Sequence, residues 1–98
     1  MTINKTANGP ALTIALEGRL DTTTAPQLDA EVKGSLSGVR ELTFDFARLD
    51  YISSAGLRVL LSTQKVMNKQ GSMKITHVNE TIMEVFDVTG FVDILTNE

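Results

Sequence analysis

Residues 41–70 confine what this chain can fold into more than any other stretch. Glu41-Leu42-Thr43-Phe44-Asp45-Phe46 alternates strictly, with Leu42, Phe44 and Phe46 on one side and Thr43 and Asp45 on the other. Alternation with period two is the signature of a β-strand. A central strand of the sheet is the expectation. It runs on through Ala47 to Ile52 and enters Ser53-Ser54-Ala55-Gly56, where the period changes. Leu57, Leu60, Leu61 and Met67 then recur at helical spacing, with Arg58, Lys65 and Lys69 turned away from them by about 100°. Gln70-Gly71 ends the helix. A strand that feeds straight into a helix meets its next parallel neighbour only after that crossover. The segment therefore specifies an α/β layer fold.

The flanking segments extend the same grammar. Residues 2–7 form a weaker strand, Asn8-Gly9-Pro10 a turn, and Ala11–Leu16 a second strand that leaves through Gly18-Arg19-Leu20-Asp21. Thr24-Ala25-Pro26-Gln27 has the capping-box pattern, with Thr at the N-cap, Pro in the first turn and Gln at N3. Leu28, Val32 and Leu36 give that helix one apolar face, with Gly38 as its stop. Met73–Val78 is a further strand. Asn79 caps a third helix through Val88, with Ile82, Val85 and Phe86 inward and Gly90 as C-cap. Phe91 to Leu95 completes the series as a short strand. The order is β-β-α-β-α-β-α-β, a mixed sheet with helices on at least one face. At 98 residues there is room for one such domain, residues 1–98, and not for two.

Composition narrows the function. Nine Lys and Arg against twelve Asp and Glu give a net charge of −3, and the cations are scattered. The electrostatic footprint of a nucleic-acid binder is absent, and an anionic membrane surface is disfavoured for the same reason. There is no cysteine, which removes disulfides, thiolate metal sites and cysteine nucleophiles. The first residues lack the apolar run of a secretory signal, and no stretch approaches the ~20 apolar residues that span a bilayer. A cytoplasmic protein is the expectation. His77, the one histidine, falls in an expected strand and reads as structural. With no Gly-x-Ser-x-Gly elbow, P-loop or suitably spaced carboxylate pair, the chain is expected not to be an enzyme and to need no cofactor or metal.

The chemistry concentrates in Asp50-Tyr51-Ile52-Ser53-Ser54-Ala55-Gly56-Leu57, which joins a buried strand to a helix start. Ligands of open α/β sheets bind at such carboxyl ends of strands. The helix start offers unpaired N–H groups and a partial positive charge. A phosphate on Ser54 would lie beside them and add about −1.5 to −2 charges at neutral pH. A serine at this point is also a natural N-cap, and the two roles are compatible.

Four segments resemble one family in order and spacing. Ile52-Ser53-Ser54-Ala55-Gly56-Leu57 is similar to the phosphorylation loop of STAS-domain anti-sigma-factor antagonists, usually Met-Asp-Ser-Ser/Thr-Gly-Leu. Gly18-Arg19-Leu20-Asp21-Thr22-Thr23-Thr24-Ala25 resembles the family's Gly-Glu-Leu-Asp-x-x-Thr-Ala. Phe44-Asp45-Phe46 to Asp50-Tyr51 resembles its hydrophobic strand and turn, and Val85-Phe86-Asp87-Val88-Thr89-Gly90-Phe91 its Leu-Phe-x-x-x-Gly-Leu helix end. The resemblance implies a single STAS domain that works by partner switching. The unphosphorylated form binds an anti-sigma factor that is also a serine kinase and so releases a sigma factor. Phosphorylation of Ser54 ends the complex, and a metal-dependent serine phosphatase resets it. The implied partner surface is Asp21, Thr22, Thr23, Ser53, Ser54, Ala55, Gly56 and Arg58.

The chain departs from the family pattern at Ser53, where Asp is usual, and at Ala55, where Ser or Thr is usual. The first makes Ser53 an alternative acceptor. The short remainder after the last expected strand leaves no room for the final helix of many relatives. Asp21 reads equally as a turn or capping residue, and Thr22, Thr23 and Thr24 as capping material. Ala55, Val59, Ser62 and Val66 form a small-residue stripe, either packed on a neighbouring helix or open for docking. A STAS subunit that regulates a transporter or a signalling assembly without phosphorylation is the alternative function.

Overall fold

The computed structural model describes residues 1–90 and the strand at residues 96–97. Its elements run β1 (Thr2–Asn8), β2 (Ala11–Leu20), α1 (Ala25–Lys33), β3 (Glu41–Ile52), α2 (Ser54–Gln70), β4 (Ser72–Thr76), α3 (Glu80–Thr89) and β5 (Thr96–Asn97). The sheet keeps them in sequential order, β1-β2-β3-β4-β5. The β1–β2 hairpin is antiparallel. Each pair separated by a helix is parallel. Strand β3 is central, as its pattern requires. The strand expected over Phe91–Leu95 lies outside the described residues.

With sequential strands and right-handed crossovers, all three helices fall on the same face of the sheet. Burial follows suit. Leu12, Ile14, Leu16, Leu42, Phe44, Phe46, Met73 and Ile75 are buried beneath the helices. Thr13, Ala15, Thr43, Asp45, Lys74 and Thr76, on the opposite face, are half-buried.

Strand β3 keeps its strict alternation only as far as Phe46. The steps from Asp45 to Ile52 are paired with the shorter run from Ala15 to Leu20, through two register shifts. Buried positions therefore go from every second residue to Phe46, Leu49 and Ile52, every third. The Ala47 N–H donates to the Asp45 carboxylate at 3.0 Å at the first shift. Each shift is an extra residue in β3, and it keeps the core face inward while Arg48 and Asp50 reach solvent.

Several local expectations need correction. Helix α1 ends at Lys33 with Gly34 as its C-cap, short of Gly38. Strand β4 ends at Thr76, and His77 follows it with φ 59°, its Nδ1 3.0 Å from the Asp45 carboxylate. On α2 the core face is broader than its leucines suggest: Val59, Thr63 and Gln64 are buried, while Leu61 is half-exposed. Helix α3 follows its pattern. Asn79 Oδ1 accepts from the Ile82 N–H at 2.9 Å, its Nδ2 donates to the Leu49 carbonyl at 2.9 Å, and Gly90 adopts φ 77°.

The close fit of α2 on the sheet rests on Gly56. A Cβ there would lie 2.6 Å from Leu20 Cγ and 2.9 Å from Ile52 Cγ1. Overpacking a filled core costs typically about 1–3 kcal/mol, against the ~1 kcal/mol that alanine gains over glycine in a helix interior. Gly56→Ala is expected to lower stability by up to about 2 kcal/mol, read as a lower urea midpoint. A variant as stable as the parent would refute this account of the α2 contact.

Candidate functional site

Two loops meet at the carboxyl ends of β2 and β3. Leu20 pairs with Ile52 at the end of the ladder, and the Ser53 N–H donates to the Leu20 carbonyl at 2.8 Å. The turn at Asp21–Thr24 is thereby held beside the Ser53–Gly56 turn.

The first loop is a capping box shifted one turn upstream of the expected one. Asp21 Oδ1 accepts from the Thr23 N–H at 3.0 Å and the Thr24 N–H at 3.1 Å. In return the Thr24 hydroxyl accepts from the Asp21 N–H at 2.8 Å. This is the reciprocal arrangement of a capping box, with Asp21 as the capping residue. Thr24 itself makes no side-chain cap to the helix that follows. Its hydroxyl instead donates to the Arg19 carbonyl at 2.8 Å. The Asp-x-x-Thr spacing was the signal for this arrangement, hidden by the equally good Thr24–Gln27 pattern.

These donors set the charge of Asp21. The Thr24 N–H, then the Thr23 N–H and the Thr24 hydroxyl, with Arg19 as the weakest contributor, hold its carboxyl below the ordinary aspartate value. They do so against desolvation, which acts in the opposite direction. The Arg19 guanidinium lies 3.9 Å from Asp21 Oδ2 and 4.4 Å from the Tyr51 ring centroid. Arg19 and Tyr51, cross-strand partners, are thus structural neighbours of the site that the sequence pattern did not single out.

The second loop separates the two serines. Ser53 occupies the N-cap position in extended conformation, and its carbonyl accepts from the Leu57 N–H at 3.0 Å. Its hydroxyl makes no cap bond; it is buried and has no partner among the described residues. Ser54 is the first residue of α2 and is exposed. The structure thus brings together the residues singled out in the two loops, but on different levels. Thr22, Thr23, Ser54 and Arg58 are exposed, and Asp21, Ser53 and Ala55 are half-buried. Gly56 is buried against Leu20 and Ile52. The close approach it permits is to its own chain, so it shapes the surface without forming part of it.

A groove of about 500 Å³ runs from this surface between α1 and α2. Ala25, Pro26, Ala55 and Val59 line it, with Asp29 and Arg58 among its polar residues. The small-residue stripe divides accordingly: Val59 is buried, while Ser62 and Val66 are exposed. No group of three or more metal-ligating side chains occurs among the described residues, nor does a helix long and apolar enough to cross a membrane.

The site thus sits on a small α/β domain whose sheet is covered on one face and whose two serine- and threonine-rich turns are joined at the strand ends. The STAS domain family profile matches residues 2–97, and the chain belongs to that family. It is 39% identical over 85 residues to BtrV of Bordetella bronchiseptica, a protein assigned as an anti-sigma factor antagonist, covering 85% of this chain and 73% of that one. It is 30% identical over 83 residues to the anti-sigma-B factor antagonist of Bacillus subtilis, covering 84% of this chain and 76% of that one. Its fold matches the crystal structure of an anti-sigma factor antagonist from Mycobacterium paratuberculosis with a TM-score of 0.89 and 18% identity, over 98% of this chain and 83% of that one.

The depressed ionisation of Asp21 fixes the sign of a pH effect. A carboxyl lowered on folding contributes stability that is fully present above its unfolded value of about 3.9 and is lost as pH falls through the folded value. Asp21→Asn is therefore expected to be less stable than the parent at neutral pH. The gap should close on acidification below about pH 4. Urea denaturation of both proteins across that range tests this; a gap independent of pH would show that the charge of Asp21 contributes nothing.

Proposed function

We propose that this protein antagonises an anti-sigma factor through the joined-loop surface, and that phosphorylation of Ser54 switches the interaction off. The observation that carries the reading is the separation of the serines: an exposed Ser54 beside a Ser53 whose hydroxyl is buried. The relatives named as anti-sigma factor antagonists support the partner class. The surface offered to the partner is Asp21, Thr22, Thr23, Ser54, Ala55 and Arg58, with the α1–α2 groove beside it.

The physics of the switch follows from charge. Unmodified, Ser54 is neutral and can be covered at modest cost. In the transfer step the Ser54 hydroxyl oxygen bonds the γ-phosphorus of ATP, ADP leaves and the hydroxyl proton is lost. The product carries about −1.5 to −2 charges at neutral pH. An interface must then desolvate that charge, which is costly without a matching cation. Asp21, held ionised in the adjoining turn, adds repulsion of like sign. A hundredfold loss of affinity requires only about 2.7 kcal/mol. The partner anti-sigma factor is itself the serine kinase, and a serine phosphatase restores the hydroxyl by hydrolysis.

Phosphosite mapping by mass spectrometry on protein purified from its own cells, with Ser54→Ala alongside, tests the reading. The expected result is a phosphate on Ser54 that is missing from the variant, and a variant that retains the anti-sigma factor under all growth conditions. Phosphate on Ser53 would overturn the assignment of the acceptor. A chain never phosphorylated, yet bound to its partner, would overturn the switch.

A further inference from the structure

We propose that Arg58 is the intramolecular receiver of a phosphate on Ser54, its guanidinium folding back one helical turn onto the phosphoryl oxygens and so leaving the partner surface. The proposal rests on the reading of Ser54 as the phosphoacceptor and adds a second component to the switch. In the unmodified protein Arg58 is free to meet a partner; in the modified protein it is engaged within its own chain.

The placement is favourable at each step. Ser54 opens α2 and Arg58 lies four residues on. Residues so spaced are stacked on one helix face, with Cβ atoms about 5–6 Å apart. Long helical side chains lean toward the N-terminus, so the Arg58 side chain leans toward the turn that carries Ser54. Both are exposed, so the pair can form without moving the core.

Arg58 is also uncommitted. Lys5, Lys33 and Arg48 contact carboxylates at 2.8, 2.9 and 3.0 Å, whereas Arg58 has no hydrogen-bond or ion-pair partner among the described residues. Helix α2 carries Arg58, Lys65 and Lys69 and no acidic residue, so no carboxylate on its own helix competes. Across the groove, Asp29 is paired with Lys33 at 2.9 Å. Asp21, in the neighbouring turn, is bonded to Thr23 and Thr24. Lys65 lies a further ~10 Å along the helix at 1.5 Å per residue, out of reach of the phosphate. The planar guanidinium can meet two phosphoryl oxygens at once, which an ammonium cannot.

The test uses the full chain with phosphoserine genetically encoded at position 54, and follows the second phosphate ionisation by ³¹P NMR between about pH 4 and 8. Relative to the parent, R58Q is expected to raise that ionisation by about 0.3 unit, the size expected of an exposed pair at this spacing. R58K should recover part of the shift and K65Q should produce none. The R58Q effect should shrink in about 1 M salt. An R58Q titration superimposable on the parent would overturn the proposal, and so would a K65Q shift as large as that of R58Q. The phosphate is installed without a kinase, so the result is independent of whether Ser54 is modified in the cell.

Discussion

The hydrogen bond from the Ser53 N–H to the Leu20 carbonyl joins the two turns on which the site depends. It lies where β2 and β3 both give way to helical turns, one step beyond the Leu20–Ile52 pair. Directly beneath, Gly56 brings α2 onto Leu20 and Ile52 without room for a Cβ. Backbone pairing and side-chain packing thus converge on the same two residues. Neither turn can shift alone without breaking this contact. On the proposed switch, a surface built on such a junction would change its affinity through charge, with no rearrangement of the fold.

The register shifts of β3 explain why the junction is only partly visible in the sequence. The alternation of Leu42, Phe44 and Phe46 announces a central strand, and the structure bears it out. Beyond Phe46 the buried residues are Leu49 and Ile52, a spacing that matches neither an ideal strand nor a helix, so the pattern read there marks continuity and no orientation. The competing caps at Asp21 and Thr24 pose the same difficulty. Both satisfy a capping pattern within four residues, and the choice depends on the Arg19 carbonyl, which takes the Thr24 hydroxyl and is supplied by the end of β2. Asn79 and Gly90, with no such competitor, were legible directly. So was the nearness of Asp21 to the serine loop through the family resemblance, whereas the groove and the Arg19–Tyr51 contact required the strands to be paired.

Charge is distributed unevenly over this scaffold. The net charge is −3, yet α2 bears cations only, and α3 carries Glu80, Glu84 and Asp87 with no cation. The cations of α2 lie on its exposed side, in line with Ser54. A partner that approaches along the exposed side of α2 therefore meets a row of cations on a negative protein. Local charge of this kind guides the orientation of encounter more than it adds affinity. A phosphate at the head of that helix would meet Arg58 on its own helix and the ionised Asp21 in the adjoining turn.

The serine pair shows how selectivity for one hydroxyl can arise without a neighbouring acid. The family's usual aspartate before the acceptor is Ser53 here, and its backbone is anchored at both ends, by donation to Leu20 and by acceptance from Leu57. That anchoring turns its hydroxyl inward, where it is buried and makes no cap to α2. Of the two serine hydroxyls the sequence offers here, that of Ser53 is buried, whereas Ser54 is exposed. The same anchoring leaves the first turn of α2 without a side-chain cap, so its N–H groups remain disposed to favour negative charge. On the proposed switch, the geometry that buries the Ser53 hydroxyl and leaves α2 without a side-chain cap would also favour a phosphate on Ser54.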